Sequence, residues 1–258
     1  MTANRPFTYH LGPRPPGIPE LSLVDVETMV FVARHPYALE RQVARAVPAV
    51  GKERIRELVS LRLLAPAQIE GSADPLFHLT GHGLTALGYR LPETAAHCPL
   101  HPLAPDPKRL LRHLTRIDAN LYCQEYGERH KTPLVVWWTQ PADLRMAFNF
   151  PAKFALPLAV ATFWMGEERE SVAIDLLPQD ESAPRVVSGR LKTYRDLLDR
   201  GNLSGLWLVC ENKKTREEVQ SLAAHHGPSQ GRLRLLTLGE LAVLATGDSA
   251  ATRTRRHG

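Results

Sequence analysis

The chain has 258 residues, 43% of them hydrophobic, and a formal net charge of +5. That is enough apolar material for one large or two modest cores, and the modest positive balance favours a polyanionic partner without requiring one. No run of about eighteen apolar residues is present for a membrane span, the Pro-rich start from Arg5 to Pro19 lacks the apolar stretch of a signal peptide, and three scattered cysteines, Cys98, Cys123 and Cys210, make no disulfide framework, so a cytoplasmic, reduced protein is expected.

Residues 1–20 are expected to be disordered. From Val24 to Arg34, Val26, Val30 and Ala33 recur at the spacing of a buried helical stripe, with Met29 and Phe31 thickening it. Leu39, Val43, Ala46 and Val47 repeat the period on a second helix, which Pro48 stops because it lacks an N–H and its ring clashes with the preceding turn. After a turn at 49–51, a third helix from Lys52 to about Leu61 buries Ile55, Leu58 and Val59. It turns Glu53, Arg56, Glu57 and Ser60 outward, with Lys52 and Arg54 on the flanks. Leu63 to Ala65 leads into strand residues Gln68 to Glu70. Turn residues follow at 71–75, and Leu76 to Leu79 return as a second strand before a helix through Leu84, Leu87 and Tyr89 closes the segment.

Helix, helix, turn, helix and hairpin in about fifty residues is the layout of a winged helix-turn-helix, assigned to 21–90, and its expected partner is double-stranded DNA. Lys52, Arg54 and Arg56 on the third helix would reach phosphate or guanine edges, with Ser60 near a base, while Arg41 and Arg45 on the second helix sit toward the backbone. Glu53 and Glu57 on the same face repel phosphate unless neighbouring arginines neutralise them, and otherwise the helix docks protein. With about four phosphates neutralised, log affinity is expected to fall against log salt with a slope near −3.6.

Residues 91–107 form a Pro-rich linker in which five prolines exclude a regular element. His97, Cys98 and His101 lie within it as half of a zinc-like set, but no second ligand pair matches them, so no metal or cofactor is expected. Beyond the linker an α/β domain is expected over 108–246, followed by a basic disordered tail. It opens with a helix from Lys108 to about Arg129 with Leu110, Leu111, Leu114, Ile117 and Leu121 inward and Lys108, Arg109, Arg112 and Arg116 near its start. Strands follow at 134–138, 158–164 and 171–177, then a helix at 185–199, a strand at 206–210, a helix at 215–225 and a strand at 233–236 before a last helix from Glu240. Trp137 and Trp138 alternate on one strand, so one is expected in the core and the other at an interface. The predicted fold class is α+β, a winged helix followed by a domain with the α-β-β-β-α-β-α-β order of the restriction-endonuclease-like core.

Four short stretches carry a family likeness. They are His113-Leu114-Thr-Arg-Ile-Asp118, Val136-Trp-Trp-Thr-Gln-Pro-Ala-Asp-Leu-Arg145, Val172-Ala-Ile-Asp175 and Arg190-Leu-Lys-Thr-Tyr194. With the segment upstream, the chain over roughly 23–240 resembles the replication-relaxation family of plasmids and integrative elements. The resemblance implies a DNA-associated protein of a mobile element acting in replication, relaxation or transfer, with relaxase or replication proteins as partners.

A nuclease of the restriction-endonuclease-like fold needs an acid on its second strand and acid-x-Lys on its third, to hold Mg²⁺ and steady the attacking water. Here Asp175 is present, but the lysine position holds Leu177 and the second strand carries no carboxylate. Lys192 on the following helix is the one replacement in reach, so Asp175 and Lys192 form the alternative catalytic pair, and a non-enzymatic protein is the expectation. Three other readings stay open. They are a winged-helix transcriptional regulator whose α/β domain dimerises or senses a ligand, a Mg²⁺-dependent nuclease, and a protein-interaction adaptor; a homodimer is compatible with each.

Overall fold

The computed structural model describes residues 16–67, 75–96, 106–181 and 183–246. The chain divides into two compact units between Leu110 and Leu111, and the architecture is a mixture of helices with two separate sheets.

The first unit opens earlier than expected. Ile18 and Leu21 are already buried, within or beside the stretch to residue 20 expected to be disordered. Helix α1 (Leu23–Arg34) begins at a reciprocal cap: the Asp25 N–H donates to Ser22 Oγ at 3.2 Å, and the Ser22 N–H donates to Asp25 Oδ2 at 2.7 Å. Its buried stripe is Val26, Met29, Val32 and Ala33 with Asp25 and Thr28 beside them, whereas Val30 and Phe31, expected inward, are half-buried. A two-residue strand, β1 (Ala38–Leu39), follows, and α2 (Glu40–Ala46) starts where the buried side chain of Gln42 accepts the Leu39 N–H at 3.0 Å. Helix α3 (Lys52–Ser60) buries Ile55 and Leu58. Strands β2 (Leu64–Ala67) and β3 (Leu76–Leu79) pair antiparallel, Leu64 opposite Leu79 and Ala67 opposite Leu76. The expected strand residues 68–70 and turn residues 71–74 lie outside the described residues. β1 was not expected at all; it pairs with the other edge of β3 and makes a three-stranded sheet in the order β1-β3-β2.

Helix α4 (Gly81–Arg90) is capped by Thr80, whose Oγ1 accepts the Gly83 N–H at 2.9 Å. The first turn of α4 lies directly on backbone: a Cβ added at Gly83 would sit 2.1 Å from the Leu63 carbonyl oxygen. A short helix, α5 (Pro92–Ala96), corrects the expectation that 91–107 holds no regular element. Pro92 opens it, because the missing N–H of a first-turn proline has no helical partner to lose. The linker residues 97–105 and the tail from 247 lie outside the described residues.

The second unit is built on a five-stranded sheet. Helix α6 (Pro107–His130) buries Ile117, Leu121, Tyr122 and Cys123, with Leu111 and Leu114 only half-buried. Strand β4 (Leu134–Trp138) follows, then α7 (Pro141–Phe148), β5 (Ala159–Met165), β6 (Glu168–Leu177), α8 (Pro184–Asp199), β7 (Gly205–Cys210), α9 (Lys213–His226), β8 (Leu233–Thr237) and α10 (Leu238–Thr246). The sheet order is β4-β5-β6-β7-β8, antiparallel across β4, β5 and β6 and parallel across β6, β7 and β8. Gly166 takes a φ of +66° at the head of the two-residue β5–β6 loop, the conformation that tight hairpin loops demand. On edge strand β4, Leu134 faces Phe163 and Val136 faces Thr162, so Val135 is an extra, bulged residue, and it is exposed.

Helix α7 corrects the expected order, which ran from one strand to the next without it. Pro141 stands in its first turn and Leu144 and Phe148 are buried one helical turn apart. One sheet face, including Val160, Ala173, Leu177, Leu206 and Leu208, packs with Leu144, Phe148, Val187, Leu191, Leu197 and Val219 from α7, α8 and α9. The other face meets α6, whose Tyr122 ring lies 5.3 Å from Trp207 of β7. The two tryptophans of β4 point to opposite faces, as period-two alternation requires. Trp138 packs edge-on against Phe148 at 5.7 Å and donates from Nε1 to Thr162 Oγ1 at 3.1 Å. Trp137 is half-buried on the α6 side.

Candidate functional site

The outward face of α3 is laid out as its periodicity implies: Lys52, Glu53, Arg56, Glu57 and Ser60 are exposed while Ile55 and Leu58 fix the helix from below. The charges on that face are committed unevenly. Arg54, expected to contact DNA, is held by two carboxylates of its own chain. Its Nε donates to Asp25 Oδ1 and its Nη2 to Asp25 Oδ2, both at 2.6 Å, and its Nη1 lies 2.5 Å from Glu57. Asp25 is fully buried on α1, so the fork of Arg54 supplies the compensation that a desolvated carboxylate needs. Burial by itself would raise the Asp25 carboxyl, but the hydrogen bonds from Arg54 and Ser22 outweigh it and hold the group below its ordinary value. The Arg54 guanidinium is pushed up by the same contacts.

Lys52 Nζ stands 3.3 Å from Glu40 of α2, a pair whose lysine is exposed and whose glutamate is half-buried. Arg56 is exposed and holds no carboxylate among the described residues. Ser60 Oγ donates to the Glu57 carbonyl at 2.8 Å. Arg41 and Arg45 are half-buried and each already interacts within the chain. Of the six candidate contacts, Arg56 and Lys52 therefore remain the cations best placed to meet an anion. Sequence reasoning missed Asp25 because an acid inside a helical stripe reads as a surface position. Its signal was the Ser22-x-x-Asp25 cap, which places that carboxylate next to the chain entry.

In the second unit, Asp175 lies in the middle of the sheet and is fully buried. Lys192 is exposed and does not reach it; the alternative pair is not assembled. The residues that do reach it sit one turn apart on the buried side of α8. Arg190 Nη2 donates to Oδ1 at 3.2 Å, its Nε stands 3.0 Å from Oδ2, and Tyr194 Oη donates to Oδ2 at 2.8 Å. The Leu176 N–H donates to Oδ1 at 2.9 Å, and Arg190 reaches on to Glu181 at 3.0 Å. Burial drives the Asp175 carboxyl above its ordinary value, with Arg190 and Tyr194 pulling the other way. The same burial pushes the Tyr194 hydroxyl well up, so it stays a donor, and Asp175 keeps Arg190 charged against desolvation. A carboxylate whose two oxygens already accept from three donor groups has little left to offer a cation. Among the described residues no group of three His, Cys, Asp or Glu gathers as a metal site; His97, Cys98 and His101 lie outside them. Cys123 and Cys210 are buried, and burial pushes the Cys210 thiol up to about 12, which makes a nucleophilic role unfavourable.

A third feature has no counterpart in the sequence reading. At the end of the sheet opposite Asp175, the starts of β6, β7 and β8 and the end of β5 enclose an open cavity of about 270 Å³ with Tyr126 of α6. Tyr126 meets Phe163 and Trp207 edge to face, at 5.7 Å and 5.6 Å. Arg234 of β8 lines the same space. Its Nη1 donates to Tyr122 Oη at 2.5 Å, and its guanidinium carbon lies 5.3 Å from the Tyr122 ring and 5.4 Å from that of Trp207. These residues come from four strands and a helix, and no local pattern announces them.

Comparison with protein-family models, with curated proteins and with solved structures returns no match for this chain.

Proposed function

We propose that this protein binds double-stranded DNA through its first unit, used as a winged helix, with α3 in the major groove and the β2–β3 hairpin as the wing. The observation that carries the reading is the exposed edge of α3, with Lys52, Arg56 and Ser60 presented by a helix that Ile55 and Leu58 anchor from beneath. The Arg54–Glu57 pair also supports it, because it neutralises one of the two acids that would otherwise repel phosphate. With Arg54 held by Asp25 and Glu57, and Arg41 and Arg45 half-buried and already interacting within the chain, two cations per protomer are counted, Lys52 and Arg56, and the expected slope of log affinity against log salt is about −1.8. Fluorescence anisotropy on labelled random duplexes at graded salt tests this. A slope near zero, or no binding at low salt, favours the protein-docking reading of the same helix.

The strand order of the second unit supports a restriction-endonuclease-like reading, and with it the mobile-element role implied by the resemblance to the replication-relaxation family. Relaxase or replication proteins are then the partners to seek, in the cytoplasm. We read the unit as non-catalytic on the ground that Asp175 is bound to Arg190 and Tyr194. Supercoiled plasmid with Mg²⁺ is expected to stay unnicked. The Arg234 cavity favours a second reading, a transcriptional regulator whose α/β unit senses a small ligand.

A further inference from the structure

We propose that the cavity at the β6–β7–β8 end of the second unit binds a small planar organic anion, its ring against Trp207, Tyr126 and Phe163 and its carboxylate or phosphate on Arg234. The inference gives the sensing reading a ligand class but rests on the cavity alone, so it stands or falls independently of DNA binding by the first unit.

The anion is argued from Arg234. Its guanidinium is half-buried and is oriented by the Tyr122 hydroxyl and two aromatic rings, yet among the described residues no carboxylate pairs with it. A guanidinium partly withdrawn from water, with Nη1 spent on a neutral hydroxyl, keeps its Nε–Nη2 edge for a planar bidentate acceptor. Its neighbour Arg232 is occupied differently, donating to the Leu198 carbonyl at 3.1 Å with Asp199 at 3.9 Å. The ring is argued from the walls. Three aromatic side chains border the space, and an aromatic guest adds edge-to-face contacts to its apolar burial. The size is argued from the volume of about 270 Å³, at the lower end of small-molecule sites, which suits one ring system and one anionic group. Gly205, at the start of β7, lines the same space and brings no side chain into it. Glu170 at the exposed rim disfavours a second negative group.

The test uses the full chain. Benzoate and AMP represent the two sources of a ring with an anionic group, and benzamide and adenosine are their uncharged counterparts. Thermal unfolding and the fluorescence of the tryptophans are followed as each is titrated to millimolar concentration. A saturable rise in Tm with benzoate or AMP, and none with its uncharged counterpart, supports the proposal and says which anion the cavity prefers. Arg234→Gln is expected to keep its unliganded far-UV spectrum and to weaken binding by about tenfold or more, the loss of one charge-assisted contact. Should that variant not fold, Met165→Trp at the half-exposed rim blocks the cavity with Arg234 in place and is expected to lose the shift. No shift with either anion, a shift of equal size with the uncharged counterparts, retention of the shift in the variants, or tighter binding of an oligo(dT) strand than of AMP would each overturn it.

Discussion

On the proposed DNA-binding reading, two arginines two positions apart on α3 do different work, and their substitutions are expected to separate it. Arg56→Ala removes an exposed cation and is expected to weaken duplex binding and flatten its salt dependence while leaving stability within about 0.5 kcal/mol. Arg54→Ala strips the compensation from buried Asp25 and is expected to cost about 2–3 kcal/mol in denaturant unfolding, the scale of lost hydrogen bonds to a charged group. Equal losses of affinity with unchanged stability in both variants would refute this division. The same pair sets a pH dependence. Because the folded carboxyl of Asp25 lies below its ordinary value, its contribution is complete above the unfolded value of about 3.9 and is lost as pH falls through the folded one. The gap in unfolding midpoint between wild type and Asp25→Asn is therefore expected to be full at neutral pH and to close below about pH 4. The outward positions of α3 were legible from the helical period. Which of its cations were spoken for was not, because that depends on a carboxylate twenty-nine positions earlier.

At the scale of elements, packing distances predict where substitution fails. Gly83→Ala would drive a methyl into the Leu63 carbonyl and push α4 off the β2 turn, at a cost of about 1–3 kcal/mol read from the unfolding midpoint. Asp175→Ala leaves Arg190 buried with Glu181 as its one counter-charge among the described residues. It is expected to lose about 3–5 kcal/mol of stability, as breakage of buried pairs does. A variant that unfolds normally yet alters DNA processing would instead point to chemistry at Asp175. Most long elements were legible because their apolar residues repeat over many positions, as in α6, α8 and β6. The elements missed are those where period has no room to speak. β1 has two residues, and it exists only because β3 offers it an edge. Helix α7 has eight residues, marked by Pro141 in its first turn and by the Leu144–Phe148 pair, in the stretch between two expected strands to which no element was assigned. Asp175 was singled out as an acid on a strand, but its partners Arg190 and Tyr194 required knowing which side of α8 meets the sheet.

For the whole molecule, the proposed division of labour makes the units separable in function. A fragment spanning 16–96 is expected to bind duplex DNA with the salt slope of the full chain, and a fragment spanning 106–246 to leave the duplex free in the same anisotropy assay. A second fragment that carries the affinity would move the DNA contact off α3. One further property belongs to the sheet of the second unit as an object among its own copies. Its β4 margin is rich in valine and tryptophan, the composition that most readily recruits a neighbour's backbone into a growing ribbon. The extra residue Val135 spoils the regular row of outward amides and carbonyls there and twists the margin out of register with any flat template. Excising that single residue would leave the composition almost untouched, yet concentrated solutions of the shortened chain are expected to scatter light where the parent stays clear.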